Sequence, residues 1–216
     1  MIEKNRRNFL KAGALFSLVA WMSKARAGDY GSKLSPTPTE IKGPFYPITA
    51  QKDKDFDLTQ VEDSKETAKG TFIVIEGHVV DTDGAPVEDA TVEIWQANAA
   101  GRYAHPHDSN TAPLDPHFQG WAIVPSGKDG GFRFKSVMPG SYPAAEGWDR
   151  PPHIHFKVAK KGYVELVTQM YFPGHPLNEK DNLILRKSPE QRAMMVAEKP
   201  RATEETYRYR IVIEKA

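Results

Sequence analysis

The chain has 216 residues, 39% of them hydrophobic and 26% charged, which is ordinary for one soluble globular domain. It contains no cysteine, which excludes disulfides, thiolate nucleophiles and cysteine-ligated zinc or iron–sulfur sites. The net charge is +1, but residues 1–27 hold six basic residues and one acidic residue, so the remainder carries −4. Such a mildly acidic body gives no electrostatic basis for nucleic-acid binding.

The first 27 residues have the pattern of a secretory signal. Arg6 and Arg7 precede an apolar stretch, 12–22, that is too short for a bilayer core of about 30 Å, and a small-x-small sequence, 25–27, follows. The segment resembles a twin-arginine signal, which is typical of proteins exported already folded. We expect the twin-arginine export machinery as a partner, a periplasmic or otherwise exported location, and no stable membrane insertion after processing. A basic amphipathic helix or a retained membrane anchor is the alternative.

The pattern changes again at about residue 70. Residues 28–70 form an arm rich in Pro, Ser, Thr and charge, whereas 71–216 consist of short β-rich runs separated by turn residues. Lys160-Lys161-Gly162 lies between two such runs and predicts a hairpin. The expected strands are 71–80, 91–97, 132–134, 153–158, 164–172 and 209–213.

One convincing helix is predicted from Ser188 to about Glu198. It has a serine N-cap, Pro189 at its first position and Gln191 completing a capping box. The fold class predicted from these elements is all-β, a β-sandwich of mainly antiparallel strands with long loops and one or two short helices. We expect residues 71–216 to be the catalytic domain.

His153 and His155 stand two positions apart in one predicted strand. Side chains alternate between the two faces of a strand, so both imidazoles should point the same way and could bind one ion. Pro151 and Pro152 stiffen the backbone that presents them. Two hydrogen-bonded histidines on a polar face explain the pair alone equally well. A metal would need further ligands from His, carboxylate or Tyr.

Two tyrosines lie in distinctive settings. Tyr103 follows a predicted strand, and Tyr142 lies in a Pro-Gly-Ser-Tyr-Pro turn that leads toward the histidine pair. A phenol, with a reference pKa near ~10, binds metal poorly until a cation favours its anion. Trivalent iron does this. Taken alone, each tyrosine also fits a packing role in a sandwich.

Seven motifs in one order resemble those of the intradiol ring-cleavage dioxygenases, and look most similar to the iron-bearing subunits of protocatechuate 3,4-dioxygenases. The resemblance spans about residues 43–181. The motifs are Gly43-Pro44-Phe45, Trp95–Tyr103, Pro113–Pro116, Gly130–Phe134, Pro139–Pro143, Arg150–Phe156 and Gln169–Phe172.

The resemblance implies a non-haem Fe(III) cofactor between the two sheets of the sandwich. The residues that match its protein ligands are Tyr103, Tyr142, His153 and His155. A catechol would bind through both oxygens and displace Tyr142, which then accepts a proton. Arg150 matches an arginine that stabilises negative charge on the substrate ring. Gln169 matches a glutamine that lies beside this arginine.

The implied reaction consumes O2 and opens the catechol between its two hydroxylated carbons to give a cis,cis-muconate-type diacid. The resemblance leaves open which catechol is cleaved, and whether the chain works alone or in a homo- or hetero-oligomer.

Two other classes of protein remain open. Gly77-x-Val79-x-Asp81-x-x-Gly84-x-Pro86 resembles the opening of transthyretin-like sandwich modules, which bind partners without catalysis. A His-x-His zinc or copper protein is the second alternative. It is weakened because the chain has neither cysteine nor a His-Glu-x-x-His motif.

Overall fold

The computed structural model describes residues 33–49, 53–62, 64–200 and 205–216, and the predicted signal lies outside them. Residues 34–216 form one compact unit. The strands of the described residues are β1 (Phe72–Asp81), β2 (Thr91–Trp95), β3 (Trp121–Pro125), β4 (Gly131–Val137), β5 (Tyr142–Ala145), β6 (Trp148–Arg150), β7 (His153–Ala159), β8 (Leu166–Tyr171) and β9 (Thr206–Ile213). The helices are the 3₁₀ helices Pro176–Glu179 and Ile184–Arg186 and the α-helix α1 (Pro189–Met195).

Seven of the nine described strands form two sheets that pack face to face, as predicted, and β5 and β6 form a separate two-stranded sheet. One sheet has the order β4-β1-β9, with β1 antiparallel to β4 and parallel to β9. The other has the order β3-β2-β7-β8 and is antiparallel throughout. Phe156 of β7 contacts Phe134 and Tyr209 of the opposite sheet, with ring centroids 6.1 and 5.3 Å apart. The fold is therefore the expected sandwich, and it carries one parallel pair of strands.

Strand β1 shows how the sequence builds this core. Its residues alternate between buried and partly exposed, as expected for a strand with one face in an apolar layer. Gly77 occupies one inward position, where a Cβ would overlap the ring of Phe132. The missing side chain therefore makes room for a large aromatic residue of β4.

The predicted strands are all present with shifted ends, and the 160–162 turn joins the expected hairpin of β7 and β8. Strands β3, β5 and β6 were not expected. The helix was predicted too long, because Val196 is extended and the chain then pairs with neighbouring strands. Ala197 N donates to Tyr171 O (2.9 Å), and Glu198 pairs with Arg208.

The described part of the arm, from residue 33, runs across the sandwich. Thr37 N donates to Val212 O (3.0 Å) at one sheet, and Glu40 N donates to Val167 O (2.8 Å) at the other. The predicted boundaries between the signal (1–27), the arm (28–70) and the sandwich domain (71–216) remain a prediction. In the part of the chain that the structure describes, no helix is both long and apolar enough to cross a membrane.

Candidate metal centre and active site

His153 and His155 project from the same face of β7, as predicted, and their Nε2 atoms lie 3.2 Å apart. Both side chains are buried, with 2% and 3% exposure. The Nδ1 atom of His153 lies 2.7 Å from Pro151 O. A carbonyl oxygen only accepts, so Nδ1 carries the proton and Nε2 carries the lone pair, which faces His155 Nε2.

This face is the outer face of the four-stranded sheet, which corrects the expectation of a metal between the sheets. Ile154 and Phe156, the alternate residues of β7, fill the apolar layer between the sheets and are completely buried. The two-residue period of a strand therefore sends the imidazoles away from that layer. Loops, not the second sheet, cover them.

The turn Gly43-Pro44-Phe45 is one of these loops. Gly43 has φ +73°, and a Cβ there would come within 3.4 Å of His155 Cε1. Phe45 packs on the ring of Tyr103 at 4.8 Å. On the strand side, Trp95 of β2 stacks on His155 at 4.7 Å. His155 is thus fixed between the sheet and the arm.

Tyr103 lies in the loop between β2 and β3, and Tyr142 is the first residue of β5; the chain segments that precede them lie against each other. Gly140 permits this approach, because a Cβ there would overlap the backbone of Gly101. The phenol rings meet edge to face with centroids 5.6 Å apart. Tyr142 also contacts His153 at 5.7 Å, and Tyr103 contacts His155 at 6.3 Å. The four predicted ligands therefore converge on one place.

The protonation of this cluster suits a cation. Burial and the charge of Arg150 lower the pKa of both imidazoles well below the usual value, which keeps them neutral. Burial raises the pKa of both phenols, and the neighbouring Tyr142 raises that of Tyr103 further. The phenols therefore ionise only if a positive ion is bound between them.

The donor atoms also fit a metal. Nitrogen ligands lie about 2.1 Å from a transition metal, so two nitrogens 3.2 Å apart can bind the same ion. Tyr103 Oη is buried and has no hydrogen-bond partner among the described residues. Within the described residues no cluster of three His, Cys, Asp or Glu side chains could hold a metal, so the tyrosines are needed to complete a ligand set.

Arg150 lies beside this cluster, opposite Tyr142 in the β5–β6 hairpin. Its Nη2 donates to Gln169 Oε1 (2.6 Å) and Tyr171 Oη (3.2 Å). Burial alone would lower its pKa, but Tyr171, Tyr142 and Asp181 raise it, so the guanidinium stays charged. The structure thus brings Arg150 and Gln169 together, as the resemblance implied.

Asp181 belongs to the same network, and the sequence analysis missed it. It is completely buried, and its Oδ1 lies 3.1 Å from Arg150 Nε. It also accepts hydrogen bonds from Trp148 Nε1 and Tyr171 Oη, both 3.0 Å long. The residue lies in a loop after a 3₁₀ helix, where an aspartate has no distinguishing local pattern.

A cavity of about 520 Å³ opens onto the cluster. Tyr142, Arg150 and His155 are among the residues that line it. The apolar lining residues include Ile41, Pro44 and Leu183, and residues 108–111 supply polar groups. The volume is in the range of small-molecule binding sites.

The five remaining histidines lie outside the cluster. His175 caps a 3₁₀ helix by accepting from Leu177 N, and His117 lies 3.1 Å from Glu66 Oε2. Both contacts are structural, since neither joins these residues to the four proposed ligands. The other three are His78, His105 and His107.

Comparisons with known proteins agree with this geometry. Residues 41–215 match the family described as Dioxygenase. The chain is 40% identical over 164 residues to a protocatechuate 3,4-dioxygenase beta chain of Burkholderia cepacia, covering 69% of each protein. It is 32% identical over 191 residues to a chlorocatechol 1,2-dioxygenase of Cupriavidus pinatubonensis, covering 80% of this chain and 67% of that one.

Solved structures show the same relationship. The 3-chlorocatechol 1,2-dioxygenase of Rhodococcus opacus 1CP superposes with a TM-score of 0.65 at 25% identity, covering 85% of this chain and 74% of that one. The dioxygenase domain of a dioxygenase carbohydrate-binding protein fusion from Streptomyces sp. SirexAA-E gives 0.62 at 26% identity, covering 84% and 100%. The chain therefore belongs to the dioxygenase family and is an intradiol ring-cleavage enzyme.

Proposed function

We propose that the chain binds non-haem Fe(III) and uses it, with O2, to open a catechol-type ring between its two hydroxylated carbons. The proposed ligands are Tyr103, Tyr142, His153 and His155. The observation that carries this proposal is the convergence of two neutral imidazoles and two buried phenols beside a charged arginine. Anionic phenolate oxygen is a hard ligand and favours the trivalent over the divalent ion.

The chemistry supplied by bound Fe(III) is Lewis acidity, which draws electron density from a catechol that has lost both hydroxyl protons. Tyr142 Oη is suited to accept one of these protons. The ring of Tyr142 contacts His153, and the residue also lines the cavity. Tyr142 therefore borders both the other proposed ligands and the space for a substrate. Its raised pKa means that the phenol, once detached from a cation, holds that proton firmly.

Arg150 would stabilise the negative charge that develops on the ring. Its Nη2 is held by Gln169 and Tyr171, while Nη1 makes no hydrogen bond to a described residue. The Nη1 donors therefore remain for a ligand in the cavity that Arg150 lines. A donor fixed before the reaction stabilises developing charge without reorganisation.

The expected product is a cis,cis-muconate-type diacid. One carbon–carbon bond breaks, and both atoms of one O2 are retained in the two new carboxyl groups, so no external reductant is needed. The relatives are named for protocatechuate, chlorocatechol, hydroxyquinol and catechol, all of which are catechols. An oxygen electrode measures the O2 that is consumed, and ultraviolet absorbance measures the diacid that is formed.

Colour and metal content test the metal. Protein purified with ample iron should be burgundy, because tyrosinate transfers charge to Fe(III), whereas a zinc protein or an empty binding module is colourless. The double variant Tyr103→Phe/Tyr142→Phe should lose the visible band, and Tyr163→Phe, outside the cluster, should keep it. A colourless, iron-free wild type, or a coloured double variant, would refute the proposal.

We propose further that residues 1–27 direct export through the twin-arginine machinery to the periplasm or beyond. The support is the Arg6-Arg7 pair and the short apolar stretch that follows. Replacing both arginines with lysine should leave the precursor in the cytoplasm, and mass spectrometry of exported wild type should show a start near residue 28. A mature start at Met1 in the exported fraction contradicts this.

Assembly with further copies or with a second chain is also a proposal. Its support is that the Burkholderia cepacia relative is named as a beta chain. Light scattering of the purified protein measures the mass of the particle directly.

A further inference from the structure

The outer face of the four-stranded sheet carries a second polar cluster beside the proposed metal ligands. Strand pairing places Trp95 of β2 opposite His155 of β7. Two residues earlier in β2, it places Glu93 opposite Lys157. Side chains on one face of a strand recur every second residue, so these two cross-strand pairs lie next to each other. The Glu93–Lys157 pair is not part of the proposed ligand set, and its contacts show what it binds instead.

Glu93 is a buried carboxylate, 6% exposed, whose partners come from three parts of the chain. Its Oε2 lies 3.2 Å from Lys157 Nζ, and its Oε1 accepts a hydrogen bond from Trp121 Nε1 of β3 (2.9 Å). Tyr46 Oη donates to the same carboxylate, 3.0 Å from Oε1 and 3.1 Å from Oε2. It also accepts from Lys157 Nζ at 3.3 Å. The charged pair therefore binds the hydroxyl of a residue of the arm.

The ring of Tyr46 packs on the residue that supports His155. Its centroid lies 5.0 Å from that of Trp95, edge to face, and Trp95 stacks on His155 at 4.7 Å. The ammonium groups of Lys42 and Lys157 lie 4.7 and 5.5 Å from the centroid of the Tyr46 ring. Tyr46 is thus held both at its hydroxyl and at its ring.

The turn 43–45, directly before Tyr46, covers the ligands. A Cβ at Gly43 would lie 3.4 Å from His155 Cε1, and Phe45 packs on the ring of Tyr103 at 4.8 Å. The same turn lines the cavity. Its side chains, of glycine, proline and phenylalanine, contain no hydrogen-bonding group. A directional side-chain anchor for the turn is therefore supplied by its neighbour, Tyr46.

We propose that Tyr46 is a positioning residue that acts through its hydrogen bonds to the Glu93–Lys157 pair. The anchored hydroxyl fixes the turn 43–45 over His155 and Tyr103, and thereby the geometry in which these two ligands meet a metal. The part of the inference that concerns the metal rests on the proposed function. Loss of the hydroxyl lets the turn open without removing any donor atom.

Trypsin tests the anchor in iron-free protein. Lys42 is exposed and directly precedes the turn, so cleavage between Lys42 and Gly43 requires the turn to leave the sheet. In Tyr46→Phe the initial rate of this cleavage, located by mass spectrometry, should rise about tenfold, because hydrogen bonds to a charged group are lost. Cleavage in the 160–162 hairpin turn is the internal control and should keep its rate. An unchanged rate at Lys42 overturns the inference.

Iron-loaded protein tests the effect on the ligands. The tyrosinate-to-Fe(III) absorption band depends on the bond between Tyr103 and the metal, and transfer of iron to a chelator measures its retention. In Tyr46→Phe the band should move in wavelength, and iron release should be about tenfold faster from the same initial iron content. Tyr163→Phe should change neither. A merely structural role would lower the free energy of unfolding but leave the band where it is.

Glu93→Gln shows whether Tyr46 acts through this carboxylate. Glutamine keeps an oxygen acceptor of similar size but removes the charge. Tyr46→Phe should therefore accelerate iron release much less in the Glu93→Gln background than in wild type, because both substitutions weaken the same connection. Equal acceleration in the two backgrounds would overturn the route through Glu93.

Failure of the inference differs from failure of the proposed function. A wild type that takes up no iron overturns the proposed function, and trypsin still decides whether Tyr46 anchors the turn. A coloured wild type, together with a Tyr46→Phe variant that has the same band and the same release rate, overturns the positioning role alone.

Discussion

The two faces of β7 are both buried, one by the opposite sheet and the other by loops. Ile154 and Phe156 are covered by the opposite sheet, whereas His153 and His155 are covered by loops from the arm and from the β2–β3 and β4–β5 connections. The inner side chains are apolar and gain stability from burial alone. The outer ones are polar and retain free lone pairs. Stability and chemistry therefore occupy opposite sides of a single strand, and substitutions should separate them.

The largest expected effect is on the outer face. His155→Ala removes a proposed ligand, so iron content should fall and turnover should drop by more than about 1000-fold, since a bound metal contributes several kcal/mol to catalysis. The free energy of unfolding of the metal-free protein should fall less than in the inner-face variant, because alanine gives up the stacking on Trp95 but leaves the apolar layer intact. Metal analysis, oxygen uptake and urea unfolding measure the three quantities. His117→Ala is the control, and full iron content in His155→Ala would remove His155 from the site.

The inner face should respond in the opposite way. Phe156→Ala leaves a cavity between Phe134 and Tyr209 and should lower the free energy of unfolding by about 3–5 kcal/mol. Molecules that remain folded should still bind iron, because the imidazoles point away from the cavity. Urea unfolding with iron per folded molecule checks this. Loss of iron without loss of stability would contradict the separation of the faces.

Arg150 tests the region between the ligand cluster and the cavity. Arg150→Ala should lower the rate of reaction with O2 by about 100- to 1000-fold, the usual cost of removing a preorganised donor. Iron content should stay the same, because Arg150 is not a proposed ligand. Single-turnover measurement after anaerobic loading with catechol isolates this rate. Undiminished turnover refutes the role. The control is Arg133→Ala, in β4 of the three-stranded sheet.

The smallest effect is expected at Asp181, which contacts no proposed ligand directly. Asp181→Asn keeps an acceptor for Trp148 but leaves Arg150 without its ionic partner, so turnover should fall about tenfold, as hydrogen bonds to charged groups are worth about 1.5–3 kcal/mol. Anaerobic binding of catechol should weaken less than kcat falls. An equal loss in both would indicate a merely structural role, and Asp83→Asn is the surface control.

Local patterns in the sequence predicted much of this molecule. Alternation predicted that His153 and His155 share a face, and the capping box at Ser188 predicted where α1 begins. Local patterns failed where the partner is distant. Strands β5 and β6 are only four and three residues long, too short for a clear alternation pattern, and they form a hairpin that pairs Tyr142 with Arg150.

The sequence by itself determined which side chains are available for chemistry. Without cysteine, a metal could rely only on imidazole, carboxylate and phenol, and the resemblance of seven motifs in one order indicated the family. The alternation of β7 also fixed that the imidazoles and the apolar residues lie on opposite faces.

Only the tertiary structure decided which face meets the other sheet, and which distant groups surround the site. The packing of Phe156 against the opposite sheet places the histidines outside the sandwich, and Asp181 reaches Arg150 from a loop 31 positions later in the chain. The two-residue alternation of a strand shows which residues share a face, but it does not predict which residues pack against that face. Those neighbours follow from long-range packing, because a buried charge such as Arg150 is stable only where the fold supplies its partner.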